Sequence, residues 1–285
     1  MTKTFEVIKS TGAKEIFKPE KIKATCLRIG TEPTVAEKIT QTVTSKVYNG
    51  ITTAEIYKLV FELLKQEGHA LASRYSLREA LFRLGPAGFN FEQYIANVFN
   101  AYGYKTELPD LLKGACIKHE VDIVAEKDNR RFMIECKWRN SLDKIVIAKD
   151  VLATWARFLD LVEGAALKYC PHFDEPWIIT NSTFSADALT YGQYKNIAML
   201  GWNYPPQRPL PAWIDAKGLY PITVLFNLSS EVLPKFIEAK IILVKDLAIL
   251  SLEEIKQQIL LPEKILIPII EEAKEVYKIS DNYHN

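Results

Sequence analysis

The first ninety or so residues alternate between short strand-like runs and helix-spaced stripes. Phe5-Glu6-Val7-Ile8-Lys9 and Glu15-Ile16-Phe17 flank Ser10-Thr11-Gly12-Ala13, a turn-type sequence, and this pattern predicts a small hairpin. Pro19 stands where a helix begins, and helix formers continue to about Arg28. Residues 34–48 and 53–66 keep helical spacing; in the second, Ile56, Leu59, Val60 and Leu63 make one apolar stripe and Thr53 is placed to cap the N-terminus. A last helix, 70–84, stops at Gly85-Pro86, a boundary by its turn chemistry.

Beyond that break the period changes repeatedly. Asn90 is positioned to cap a helix from Phe91 to Ala101, closed by Gly103, with Glu92 on the same face as Ile95 and Phe99. A strand over 103–108 and a turn over 114–118 lead to two apolar runs, Val121 to Ala125 and Phe132 to Trp138. The polar stretch Glu126 to Arg130 between them predicts a second hairpin. Lys144 to Glu163 reads as a helix with Val151, Trp155 and Leu159 as its core stripe, Trp177 to Thr180 as a strand, and Ala186 to Leu200 as a helix capped by Ser185. From Ile222 the chain predicts short helices: 222–228, 230–239, 244–248, 252–260 and 262–276.

The second hairpin carries the candidate chemistry. Side chains alternate along a strand, so Met133, Glu135 and Lys137 share one side while Phe132, Ile134, Cys136 and Trp138 take the other. A Glu-x-Lys pair on a strand is common and is most often a solvated face with a weak ion pair. Asp122 sets this one apart, because it interrupts an apolar Val-Asp-Ile-Val run where a lone carboxylate is costly to bury without a metal or cation. Asp122 and Glu135, from neighbouring strands, can converge on one Mg²⁺ or Mn²⁺. Lys137 stands beside Glu135, able to orient a water and stabilise negative charge. In this pattern of Asp, hairpin and Glu-x-Lys, the chain resembles the PD-(D/E)xK nucleases and, within them, the Mrr-type restriction endonucleases. The resemblance implies a mixed sheet flanked by helices, metal-dependent cleavage of DNA, Asp122 and Glu135 as metal ligands, and Lys137 as the residue acting on the water. It also implies a role for Glu92, which matches the family's first-helix glutamate within Gly88-Phe89-x-Phe91-Glu92; on its own, Glu92 reads as a first-turn acid favoured by the helix dipole. His119 is left outside the catalytic set, since a lone histidine there more often bonds a backbone carbonyl. Lys149 and Arg157 line a DNA approach or are simply solvated.

The opening segment, with Val7-Ile8-Lys9-x-x-Gly12-x-x-Glu15-x-Phe17 and Lys21-Ile22, resembles the ATP-cone, a nucleotide-sensing module. Val7, Lys9, Glu15, Lys21 and Thr53 match its nucleotide-contacting positions, and the resemblance implies ATP or dATP as a regulatory ligand. The family's Lys-Arg-Asp-Gly reads Lys9-Ser10-Thr11-Gly12 here, and Tyr57 stands where many members carry histidine; both departures weaken phosphate and base contacts. There is no Walker-type glycine loop, so hydrolysis of the nucleotide is not implied.

The expected architecture is α/β and multidomain. It comprises an ATP-cone of β-hairpin plus helical bundle over 1–86, a PD-(D/E)xK core over 87–220, and a helical region over 221–285. The last partly resembles helix-hairpin-helix repeats but lacks their Gly-x-Gly; a packing or dimerisation tail is the alternative. A net charge of +1 confines any DNA binding to a local patch. Four scattered cysteines, Cys26, Cys116, Cys136 and Cys170, have no zinc spacing and read as reduced core thiols of a cytoplasmic protein. The first residues lack the apolar core of a signal peptide, and no apolar run reaches membrane-spanning length, so no membrane association is expected. The partners expected are DNA, a nucleotide and a second copy, as a homodimer or higher oligomer, because one site severs one strand. A junction-selective nuclease and a non-cleaving nucleotide-sensing regulator are the rival readings.

Overall fold

The computed structural model describes residues 4–9, 12–85, 89–109 and 111–281; Ser10, Thr11, Pro86 and Gly88, used above, lie outside them. The chain forms two compact units, one of residues 1–80 together with 220–285, the other of residues 81–219.

The first unit opens with β1 (Glu6–Ile8) and β2 (Lys14–Ile16), the expected antiparallel hairpin. Two helices follow, α1 (Pro19–Arg28) and α2 (Pro33–Lys46), each with proline in its first turn, where the missing N–H costs nothing. A two-residue strand, β3 (Ile51–Thr52), pairs parallel with β1 and leads directly into α3 (Thr53–Glu67). The cap of α3 is Thr52, one residue earlier than the sequence suggested: its hydroxyl accepts from the Glu55 N–H at 3.2 Å, and the Glu55 carboxylate accepts from the Thr52 N–H at 3.0 Å. This is a capping box, which satisfies two otherwise orphaned donors reciprocally. The helical part continues with α4 (His69–Tyr75) and α5 (Leu77–Arg83). Val7, Cys26, Ile39, Val43, Ile51, Val60 and Leu64 form its dry core.

The second unit begins with α6 (Phe89–Ala101), followed by β4 (Lys105–Glu107) and a minor hairpin of β5 (Leu112–Lys113) and β6 (Lys118–His119). The main hairpin is β7 (Ile123–Lys127) and β8 (Arg130–Cys136), turned by Asp128 and Asn129, both at positive φ, as a two-residue hairpin turn requires. Then come α7 (Ala148–Ala166), β9 (Glu175–Ile179), α8 (Ala186–Tyr194), β10 (Ala198–Leu200) and α9 (Leu210–Asp215). The five-stranded sheet has the order β10-β9-β8-β7-β4, parallel among β8, β9 and β10 and antiparallel elsewhere. This is the mixed, helix-flanked sheet that the resemblance implied.

In the second unit three expectations fail. The helix expected over 186–200 ends at Tyr194, and Ala198–Leu200 is instead a parallel edge strand on β9; Asn196 at positive φ turns the chain between them. Residues 144–147 are not helical: Val146 bridges Phe184, and α7 starts only at Ala148. The core face of α7 is Val151, Thr154, Phe158 and Leu161, while Leu159 is 42% exposed.

From Tyr220 the chain rejoins the first unit. A single 3-10 turn, Ile222–Val224, replaces the helix expected over 222–228, and α10 (Leu233–Glu238), α11 (Val244–Ile249), α12 (Leu252–Gln258) and α13 (Glu263–Asp281) follow. The buried Glu272 of α13 anchors this return, accepting from the backbone N–H of Phe226 at 2.7 Å and Asn227 at 2.9 Å and from the Ser73 hydroxyl at 3.2 Å. Of the cysteines, all free, only Cys26 is a fully buried core thiol, while Cys116 is exposed. Among the described residues no helix is long and apolar enough to cross a membrane.

Candidate active site and nucleotide pocket

The open end of the β7–β8 hairpin, opposite its turn, gathers the acids singled out by the sequence. Asp122 directly precedes β7, and its carboxylate accepts the Cys136 backbone N–H at 2.6 Å, which fixes it against the end of β8. Glu135 is 4% exposed, and its two oxygens are taken by two cations, Lys137 from the same strand and Arg157 from α7. A carboxylate so deeply buried requires such partners, since an unpaired one would be several kcal/mol too costly.

Burial, and then the negative charge of Glu135, push the Asp122 carboxyl well above the usual carboxylate range. Glu92, on α6, is raised by burial and then by the charges of Glu120 and Glu135. The three acids therefore share one electrostatic neighbourhood. Cys136, between Glu135 and Lys137, is pushed far up by burial and then by these acids, which keeps it a thiol.

Lys137 is held by the next strand. Its N–H donates to the Ile179 carbonyl at 2.7 Å, and its own carbonyl accepts the Thr180 hydroxyl at 2.6 Å. Asn181 continues the clamp one residue on, bonding both the N–H and the carbonyl of Arg139 at 2.8 Å. Such outer contacts fix the rotamer space of a reactive side chain.

Arg157 was left undecided by the sequence. No periodicity could place it, because its contact with Glu135 depends on how α7 crosses the sheet. His119 bonds the Asp160 carboxylate at 2.7 Å, and not a backbone carbonyl as expected. Lys149 is exposed. A polar cavity of about 580 Å³ lies at the other end of the hairpin, around Lys127 to Arg131. Arg130 and Arg131 there are already paired with Glu175 and Glu126.

In the first unit, Val7, Glu15, Lys21 and Thr53 line one cavity of about 120 Å³, together with Ile16, Phe17, Lys18, Ile22 and Ile56. Lys9 joins through Glu15, whose carboxylate lies 2.7 Å from Lys9 and 2.9 Å from Lys21; these two lysines lower its pKa to about 2. All five expected nucleotide positions therefore meet. Tyr57 belongs to an interior stack with Tyr75 at 5.0 Å, and its hydroxyl donates to Glu79 at 3.0 Å.

Comparison with known proteins agrees with this layout. The restriction endonuclease family model matches residues 86–201, the ATP cone domain model residues 5–81, and the AF1548-like C-terminal model residues 220–277. An uncharacterized protein of Archaeoglobus fulgidus is 34% identical over 182 residues, which are 64% of this chain and 99% of that one. The chain belongs to the AF1548-like family, with an Mrr-type restriction endonuclease domain and an ATP-cone. A crystal structure titled as a protein of unknown function, AF1548, superposes on this AF1548-like chain with a TM-score of 0.58 at 32% identity, covering 69% of this chain and 97% of that one.

Proposed function

We propose that this protein is a metal-dependent DNA endonuclease whose cone binds ATP or dATP without hydrolysing it. The observation that carries the reading is the convergence of Asp122, Glu135 and Lys137 at one end of a hairpin, within a restriction endonuclease domain. We read the chain as a cone over 1–86, a nuclease core over 87–220 and a helical tail over 221–285.

Among the described residues no three His, Cys, Asp or Glu side chains form a ready metal cage. Two hard carboxylates are nonetheless a fitting donor set for Mg²⁺ or Mn²⁺, which keep several waters and take substrate phosphate oxygens as further ligands. Asp122 and Glu135 would hold the ion, which would supply charge stabilisation and an acidified water. Lys137, released from Glu135, would orient the attacking water against the scissile phosphate and neutralise charge as it builds. Glu92 assists from α6, where burial and the charges of Glu120 and Glu135 raise its carboxyl. A protein that cuts both strands with one such site per chain works as a homodimer.

In the cone, the apolar walls of Val7, Ile22 and Ile56 suit a base, and Lys9 and Lys21 would exchange Glu15 for phosphate oxygens. The test is cleavage of plasmid and four-way-junction DNA with Mg²⁺, with and without ATP or dATP, alongside Lys137→Ala. Plasmid cleavage lost in the variant supports the reading. Cleavage confined to junctions replaces it with a junction-selective nuclease, and DNA binding without cleavage with a regulator.

A further inference from the structure

We propose that the outward face of α7 is the surface on which two copies of this chain pair, antiparallel, about a twofold axis at Ala156. The proposal rests on the homodimer reading above and names the surface that serves it.

The inward face of α7, Val151, Thr154, Phe158 and Leu161, is spent on the sheet. Its outward face is apolar where a solvated helix should be charged: Leu152 is 48% exposed and Leu159 42%, with Ala153 and Ala156 exposed between them. Ile117 extends the patch, being 62% exposed and tied to the helix by its N–H donating to the Asp160 carboxylate at 3.3 Å. Exposed residues of one charge each bound this face, Lys149 towards the N-terminus and Glu163 towards the C-terminus. Neither makes a salt bridge with another described residue.

The arrangement is self-complementary. Lys149 and Glu163 stand seven residues to either side of Ala156, about 10 Å each way along a helix rising 1.5 Å per residue. A twofold axis through Ala156 therefore brings each Lys149 onto the partner's Glu163. The same operation sets each Leu159 over the partner's Ala153 and each Leu152 over the partner's Asp160 and Ile117. The Asp160 carboxylate is already satisfied by the N–H groups of Cys116 and Ile117 and by His119, so covering it strands no acceptor. Alanine at the crossing permits the close approach of about 8 Å at which helices pack tightly. Parallel pairing would oppose Lys149 to Lys149 and Glu163 to Glu163, and is disfavoured by that repulsion. The face carries one cation, Lys149, and two anions, Glu163 and Asp160, so its charge suits a second copy, Lys149 against Glu163, and not a polyanion.

The experiment is analytical ultracentrifugation of the full chain, metal-free and without DNA, over nanomolar to micromolar concentration. Lys149→Glu and Glu163→Lys should each raise the dimer dissociation constant at least tenfold, and the double variant should recover most of the loss. Unfolding temperatures taken at a concentration where every variant is monomeric should stay unchanged, because both side chains are exposed. A second arm places Ala156→Cys in a Cys116→Ser background, where mild oxidation should give a covalent dimer while Lys149→Cys in the same background should not. A wild-type dimer indifferent to the reversals, with no Ala156→Cys cross-link, overturns this surface and leaves the dimer reading standing. A wild-type chain that stays monomeric at every concentration removes the dimer reading, and this surface with it.

Discussion

Glu135 holds two cations in a nearly dry site, and a metal ion bound as proposed would compete with both for the same two oxygens. Arg157→Ala should therefore tighten Mg²⁺ binding, measured by calorimetry, while slowing cleavage about 100- to 1,000-fold through loss of a charge beside the developing phosphorane, as removal of one electrostatic stabiliser typically does. If affinity and rate fall together, Arg157 supports the fold and not the reaction. Arg157→Lys should recover only part of the rate, since an ammonium lacks the forked geometry. Two-residue alternation and a carboxylate in an apolar run made Asp122, Glu135 and Lys137 legible as neighbours. Arg157 was not legible, because a cation on the flank of a helical stripe touches whatever the helix crosses, and crossing angle is not written in periodicity.

At the scale of elements, the β5–β6 hairpin is fastened to α7 at one residue, Asp160, whose backbone carbonyl also accepts the Ala115 N–H at 3.0 Å. The Asp160 carboxylate accepts the Cys116 N–H at 2.8 Å, the Ile117 N–H at 3.3 Å and a bond from His119. Chiefly the Cys116 N–H lowers its pKa to about 2. A depressed acid adds stability that is fully present above its ordinary value near 4 and is lost as the pH falls towards 2. Protection factors of the Cys116 and Ile117 amides, taken relative to the intrinsic exchange rate at each pH, should thus fall between about pH 4 and 2, and Asp160→Asn should show the lower protection already at neutral pH. Unchanged protection at pH 2.5 would mean that the Ala115 N–H bond to the Asp160 carbonyl and the packing of Gly164 tight under Gly114 hold the hairpin without the carboxylate. Element type was read correctly where period and punctuation agreed, as in β1, β2, β7 and β8. It failed at Ala198–Leu200, where three apolar residues after a helix carry no period of their own, and pairing to β9 decides them. It failed again at Leu159, because a stripe assigned by spacing alone cannot tell the face against the sheet from an apolar face left outside.

On the scale of the whole molecule, the described C-terminal helices belong with the cone. Their pattern announced helices but not where they pack, since that is fixed by long-range partners such as Glu272 with Ser73, Phe226 and Asn227. Glu272→Ala should strand two backbone donors and destabilise the first unit by about 2–4 kcal/mol, seen as a lower unfolding temperature of the cone signal. An equal loss in Glu272→Gln would point to the charge; a mild one would point to hydrogen bonding. For the same reason nucleotide binding is best measured on the full chain, because residues 1–86 alone would expose the side of α4 that faces α13.

The points where the chain leaves and re-enters this first unit are neighbours. The Thr223 hydroxyl donates to the Ala80 carbonyl at 2.8 Å, and the Arg74 guanidinium lies 4.8 Å over the Tyr220 ring. Both ends of the intervening segment are in turn bonded within it, Leu81 through its carbonyl to the Trp138 indole at 2.9 Å and Leu219 to the Tyr94 hydroxyl at 2.8 Å. In architectural terms the nuclease segment is a guest spliced into a host whose cut ends never separated. Excising residues 81–219 and rejoining Ala80 to Tyr220 through a bridge of about four glycine and serine residues, short enough to cost little closure entropy, should leave a host that folds cooperatively and keeps the cavity lined by Val7, Glu15, Lys21 and Thr53.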